Sequence, residues 1–135
     1  MVQVVNPSYF ETLGTPLLRG RQLRLADREG SAPVVLVNES FVRRCLAEKR
    51  ELGDRVTFYD ESREIIGVVS DALLTRRVLE EGIQPTVFAL IGQVPARNLA
   101  LALKSTCTAE ALADEVRAAV WKVDPDVPVS GVQSL

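Results

Sequence analysis

The chain has no histidine among its 135 residues and only two cysteines. Histidine is the most common general base, metal ligand and pH switch near neutral pH, so its absence removes three roles at once. Cys45 and Cys107 are too far apart in sequence to form a metal-binding motif. We therefore expect no catalytic residue, no metal site and no cofactor. Cys45 lies on the apolar side of a predicted helix, which favours a small buried residue over a disulfide with Cys107.

Aromatic residues, net charge and long apolar runs are also scarce. Aromatics make up 5% of the chain, so a core must consist mainly of valine, leucine, isoleucine and alanine. The net charge of −2 argues against binding to nucleic acid. No apolar run approaches the roughly 20 residues that span a bilayer, and no signal peptide is recognisable. The apolar fraction of 47% is typical of a globular protein with one domain or two small lobes.

The segment from Asn6 to Arg21 is the most distinctive part of the sequence. Asn6 and Pro7 are residues that start helices, and Gly14 is one that ends them, so we expect a short helix over 6–13. None of these residues is a catalytic type. The segment is suited to placing an aromatic pair and a basic turn against another surface.

Three side chains of this segment are candidates for a partner interface. Tyr9, Arg19 and Arg21 combine an aromatic ring with two guanidinium groups, the residue types that dominate binding energy at protein interfaces. Packing in the core explains Tyr9 at least as well, and solvation on a loop surface is the favoured explanation of the arginines. Both interpretations stay open at this point.

Five apolar segments predict strands, and one capped segment between them predicts a helix. Asn38 is expected to cap a helix that runs to about Ala47. The segments Arg55–Tyr59 and Arg63–Val69 form the best hairpin signal, with a turn over 60–62. Gly67 within the second segment suggests a bulge or a close backbone approach. The predicted strands are Val2–Val5, Val34–Val37, Arg55–Tyr59, Arg63–Val69 and Thr86–Ile91.

The last third of the chain predicts a strand, a helix and a second strand. The helix is expected to start at a Thr108 cap, run to Val123 and stop at Asp124 and Pro125. The flanking strands are predicted over 99–103 and 127–132. Trp121, near the end of the helix, is a fourth candidate interface residue, although an anchor against a neighbouring loop is the simpler explanation. Together these elements predict an α+β fold with a mixed sheet.

Several blocks of residues, in order along the whole chain, carry a resemblance to a known family. The chain resembles the extracytoplasmic domain of FtsX-like ABC transporter permeases, in particular the MacB-like periplasmic core domain of acidobacterial permeases. The blocks are Asn6–Gly14, Pro16–Arg21, Asp27–Gly30, Pro33–Glu39, Leu52–Val56, Glu64–Asp71, Val116–Val120 and Val123–Val129.

The resemblance implies an architecture and a location. Residues 1–95 correspond to a mixed α/β lobe called the Sabre lobe, and residues 96–135 to one strand–helix–strand half of a second, porter-like lobe. The domain stands in the periplasm as part of an inner-membrane protein, between transmembrane helices. Strand-like residues at both ends of this chain fit a piece cut from such a protein.

The resemblance also implies a mechanical function. An ABC ATPase subunit or domain would drive the motion, and the periplasmic domain would couple that motion to export or release of a substrate, or to signalling to a periplasmic partner. The family has no catalytic residues in this domain. The alternative is a stand-alone α+β module that binds a small ligand or a protein, and an enzyme is the least favoured interpretation.

The incomplete porter-like lobe leads to a prediction about the isolated chain. The missing half would leave a sheet edge and an apolar helix face uncovered, and an open edge is a template for pairing with another chain. We expect a homodimer whose population rises with concentration. Light scattering over a wide dilution range measures it, and a monomer at every concentration would contradict the prediction.

Overall fold

The computed structural model describes residues 1–46, 52–71, 81–96 and 100–131. The chain divides into two compact units, Met1–Ala102 and Leu103–Leu135. Each unit is described by itself below. The charged residues 48–51, which the sequence indicates as a turn, and most of the charged segment 71–84, which it indicates as a loop, lie outside the described residues.

The first unit is a mixed β-sheet with helices on its faces. Its elements are β1 Val2–Val5, α1 Tyr9–Leu13, β2 Leu17–Gly20, β3 Val34–Asn38, α2 Glu39–Cys45, β4 Arg55–Phe58, β5 Glu61–Val69 and β6 Val87–Leu90. In the described residues the sheet has six strands in the order β1-β6-β3-β5-β2, and β4 also pairs with β5. The pairs β1–β6 and β3–β5 are parallel, whereas β6–β3, β5–β2 and β5–β4 are antiparallel. The predicted α+β class with a mixed sheet is confirmed.

Both faces of the sheet are buried at its centre. Every residue of β3 and β6 is buried, which explains why these strands are unbroken apolar runs rather than alternating ones. On one face, Phe10 of α1 packs with Leu36 and Phe88. On the other face, Phe41 of α2 packs against the cluster that includes Val35.

Gly67 marks a β-bulge, as the sequence predicts. The pairing of β3 with β5 shifts between Val35 and Leu36, so that Leu36 lies opposite Gly67 and no β3 residue lies opposite Ile66. Ile65 and Val68 consequently face the same core cluster although they are three positions apart. Strict alternation would have sent them to opposite faces. The bulge therefore lets the apolar residues on either side of Gly67 fill both layers of the core, Ile65 and Val68 in one and Ile66 and Val69 in the other.

The predicted start of the first helix is wrong. Helix α1 begins at Tyr9, with Ser8 rather than Asn6 at the N-cap. The Asn6 carbonyl accepts the Tyr9 N–H at 3.2 Å, which is a bond of a tight turn, and the four-residue helical spacing begins with the Thr12 N–H and the Ser8 carbonyl at 3.0 Å. The stop at Gly14 is confirmed, with φ at +67°.

The hairpin turn lies earlier than predicted. Phe58 pairs with Glu61, so Tyr59 and Asp60 form the turn, with φ of +50° and +60°. Two-residue turns with positive φ at both positions match the twist of the flanking strands, which favours this turn over one at 60–62. Strand β2, which the sequence did not predict, pairs with the far end of β5.

The second unit contains one helix in its described part, α3, over Ala109–Val123. The predicted Thr108 cap is confirmed: its hydroxyl oxygen accepts the Ala111 N–H at 3.3 Å. The sequence predicted strands over 99–103 and 127–132. Their described parts, 100–103 and 127–131, have no regular structure, so both predictions are wrong there. A strand needs a neighbour to satisfy its backbone, and these described segments have no ladder partner.

Both cysteines are free and exposed. The expectation that Cys45 is a buried residue is wrong. Helix α2 contacts the sheet through Phe41, Val42 and Leu46, and Cys45 in its last turn falls outside that contact.

The crowding at Gly67 leads to a stability prediction. A Cβ at this position would lie 2.6 Å from Leu36 Cδ2 and 2.7 Å from the Arg21 carbonyl oxygen. We expect Gly67→Ala to lower the free energy of unfolding by about 2 kcal/mol, as overpacking does elsewhere, measured by urea unfolding. Gly92→Ala is the matched control, because its nearest neighbour would be 3.6 Å away. Equal stability of the two variants would contradict the close approach.

Candidate functional site

Tyr9 belongs to an aromatic cluster between α1 and β6. Its ring centroid lies 5.2 Å from that of Phe10 and 6.0 Å from that of Phe88, and the last two rings lie 5.0 Å apart. The Tyr9 hydroxyl donates to Gln3 Oε1 at 3.2 Å. Burial raises the pKa of Tyr9 above its ordinary value, so the phenol stays neutral. The first candidate interface residue is thus a half-buried part of the core.

Arg21 forms a two-pronged ion pair with Asp27. Nη1 donates to Asp27 Oδ2 and Nη2 to Oδ1, each at 2.9 Å, and the Arg24 N–H donates to Oδ2 at 2.8 Å. The Asp27 residue is 8% exposed. These bonds to Arg21, together with the Arg24 amide, hold the pKa of Asp27 below its ordinary value. They close the loop that carries the buried Leu23 into the core, so Arg21 has a folding role.

Arg19 and Trp121 are the two other candidates. Arg19 is exposed on β2, in register with Val68. Trp121, in the second unit, donates from its indole nitrogen to the Val127 carbonyl oxygen at 2.8 Å, while its side chain remains substantially exposed. The bond ties the end of α3 to the turn that follows, which is the simpler of the two explanations given for this residue.

Asn38 is a structural centre whose full role the sequence did not reveal. As predicted, its side-chain oxygen caps α2 by accepting the Phe41 N–H at 3.0 Å. The same oxygen accepts the Thr86 N–H at 2.9 Å, and the side-chain nitrogen donates to the Gln84 carbonyl oxygen at 2.8 Å. Asn38 therefore fixes the segment that leads into β6 to the start of α2.

Asp71 makes a second connection to the same helix end. Its Oδ1 accepts the Ser40 N–H, and its Oδ2 accepts the Ser40 hydroxyl and Arg43 Nη2, all at 3.0 Å. The contact spans 31 positions in sequence, so no local motif could have indicated it. A carboxylate at the first turn of a helix is favourable, because the N–H groups there lack helical partners.

The part of the chain that the structure describes has neither a cluster of metal ligands nor a membrane-spanning helix. They contain no group of three or more histidine, cysteine, aspartate or glutamate side chains that could hold a metal ion. Among the described residues, no helix has the length and apolar character needed to cross a membrane.

A family model named MacB-like periplasmic core domain matches residues 1–119. The chain belongs to this family. It is therefore a periplasmic domain, and the resemblance found in its sequence is confirmed. Over 70 residues it is 36% identical to the macrolide export ATP-binding/permease protein MacB of Aggregatibacter actinomycetemcomitans, a match that covers 52% of this chain and 11% of that protein.

Two solved structures share the fold. The periplasmic region of MacB from Actinobacillus actinomycetemcomitans superposes with a TM-score of 0.65 at 20% identity, over 90% of this chain and 56% of that one. A domain of a protein described as a permease from Porphyromonas gingivalis gives 0.55 at 20% identity, over 90% and 53%. The chain thus spans about half the length of these solved chains. At such identity the likeness concerns the fold alone.

The Arg21–Asp27 pair makes stability depend on pH. The pKa of Asp27 is lower in the folded chain than its ordinary value of 3.8. The stability that the ion pair adds is therefore complete when the pH is above 3.8, and it is lost as the pH falls through the pKa of the folded state. Asp27→Asn should cost about 1.5–3 kcal/mol at pH 7 and should flatten the loss of stability in acid. Urea unfolding at a series of pH values measures both effects.

Asp60→Asn provides the control, because Asp60 is exposed in the hairpin turn and asparagine tolerates its positive φ. The interpretation of the ion pair would be wrong if Asp27→Asn and Asp60→Asn had the same stability at pH 7.

Proposed function

We propose that this domain is the periplasmic module of a MacB-like ABC transporter permease and that it converts ATP-driven motion into export or release of a substrate, or into a signal to a partner. The observation that carries the proposal is the family match over residues 1–119. The shared fold with the periplasmic region of MacB supports it. An ABC ATPase subunit or domain is the partner that the proposal requires.

The first unit has the construction expected of a body that transmits motion. Strand β5 is hydrogen-bonded along one edge to β3 and along the other to β2 and β4. The connections through Asn38 and Asp71 fix α2 to the segments at the ends of β5 and β6. Packed units of this kind move as wholes about their boundaries rather than deforming internally.

We propose that the domain has no catalysis of its own. The chain lacks histidine, and two well-buried carboxylates are engaged in holding the fold, Asp27 with Arg21 and Asp71 with the start of α2. A stand-alone binding module is the weaker alternative. The family model that matches describes a periplasmic core domain, and the matched MacB is a longer protein of which the matched region is 11%.

The proposed periplasmic partner would contact the surface around β2. Leu18 and Arg19 are both exposed on this strand. We assign the interface role to these two residues. The predicted homodimer of the isolated chain rested on a sheet edge in residues 96–135, where the described segments 100–103 and 127–131 form no strand. We propose instead that a homodimer would use β1, which pairs only with β6 among the described strands.

The two cysteines allow a direct test of ATP-driven motion. Cys45 lies in the first unit, Cys107 lies in the second, and both are exposed. In the full-length transporter with other cysteines replaced, spin labels at these positions report the distance between the units. We expect the distance distribution to change between the nucleotide-free and ATP-bound states.

The control pair lies within the first unit, at Cys45 and at an exposed hairpin position changed by Tyr59→Cys. Its distances should be the same in both states. An unchanged distribution for Cys45 and Cys107, in protein that hydrolyses ATP, would overturn the proposed coupling.

A further inference from the structure

Arg63 is a buried cation in the interior of the first unit. The residue is 2% exposed and lies on β5 beside the core. Its guanidinium carbon lies 4.9 Å from the ring centroid of Phe58, a cation–π contact. Burying a charged group is costly unless its hydrogen-bonding groups find partners. A buried arginine therefore calls for a full account of its donors.

Part of the guanidinium is unpartnered. Nη2 donates to Glu61 Oε2, whereas Nε and Nη1 are shielded from solvent and have no hydrogen-bond partner among the described residues. Guanidinium has five N–H donors arranged as a fork, and Nη2 carries two of them. The Glu61 bond uses one Nη2 hydrogen. The other Nη2 hydrogen points in the same direction as a hydrogen of Nε or of Nη1, and this pair of parallel donors is not satisfied by the described residues.

Arg63 lines an open depression of about 390 Å³. One wall comes from the loop around Arg28 and Ser31, and another from the residues that follow β6. Gln93 joins the two walls: Nε2 donates to Ser31 Oγ at 3.1 Å, and Oε1 accepts the Val34 N–H at 3.2 Å. The depression is thus built on fixed backbone, and its volume falls in the range of small-ligand sites.

We propose that this depression binds a small organic carboxylate, with Arg63 as a two-pronged donor and Arg28 as a second positive charge at the wall. Glu61, whose side chain is 48% exposed, swings out to admit the ligand and competes with it for Arg63. A carboxylate matches the guanidinium fork in shape and charge. This site is independent of the proposed mechanical function.

The charges at the depression favour a carboxylate over phosphate. Glu29 and Glu61 line it together with Arg28 and Arg63, so the walls carry no net charge. With no net charge on the walls, a dianion gains no overall Coulomb attraction over a monoanion, whereas its larger charge costs more to remove from water. The pairing of Glu61 with Arg63 is itself an example of carboxylate recognition within this site.

Nuclear magnetic resonance of the Arg63 side chain tests the proposal. The probe is sodium acetate, added to the 135-residue chain at constant ionic strength with sodium chloride as the reference. We expect the Arg63 Nε–H signal to shift with acetate along a saturating curve and to stay unchanged with chloride. Glu61→Gln should tighten acetate binding several-fold, because it removes the competing carboxylate and retains Arg63. Glu11→Gln, on exposed α1 surface, is the matched control and should bind as the parent chain does.

Three results would overturn the proposal. A linear response to acetate equal to that with chloride would indicate an ordinary salt effect. Unchanged affinity in Glu61→Gln would show that Glu61 and acetate do not compete for Arg63. Tighter binding of inorganic phosphate than of acetate would refute the carboxylate class. All three comparisons retain Arg63, so none depends on the folding of a variant that lacks the buried cation.

Discussion

The pairing of β5 is the interaction on which the first unit depends. This strand bonds to β3 along one edge, and to β2 and β4 along the other, so it connects the parallel and antiparallel parts of the sheet. The bulge at Gly67 is essential to that arrangement, since it lets Ile65 and Val68 enter the same core layer. The arrangement needs a glycine there, because Leu36 and the Arg21 backbone approach too closely for a side chain.

Polar side chains complete what strand pairing begins. Asp27 closes the loop between β2 and β3 through Arg21, and Asn38 and Asp71 hold the start of α2. Each of these groups is well buried and donates or accepts several bonds, which offsets the cost of removing it from water. Arg63 differs from them, because part of its donor set has no partner in the part of the chain that the structure describes.

The sequence predicted the elements that are encoded locally. Apolar runs rich in valine and isoleucine indicated β3 and β5, Gly67 within the second run indicated the bulge, and Asn38 and Thr108 indicated helix caps. Strand β2 was not predicted, because it contains Arg19 and Gly20 and depends on its partner β5 rather than on its own propensity. The predicted strands beside α3 failed for the converse reason, since apolar runs form strands only where a neighbour exists.

The candidate site was less predictable than the fold. Tyr9 and Arg21 have the residue types of an interface, and only the positions of Phe88 and Asp27 show that they serve the core and a loop. Arg63 carried one overlooked signal. It stands two positions before Ile65 on the same strand, where alternation directs a side chain inward.

The connections at the start of α2 have a consequence for how such domains diversify. Asp71 and Gln84 are both fixed to that helix end, through Ser40 and Asn38 respectively. The framework therefore sets the positions of Asp71 and Gln84. The entropy cost of joining two fixed points by a chain segment grows only with the logarithm of the segment's length, so residues inserted between these two points would cost the framework little. Relatives can accordingly vary this part in length and composition while the sheet keeps its register.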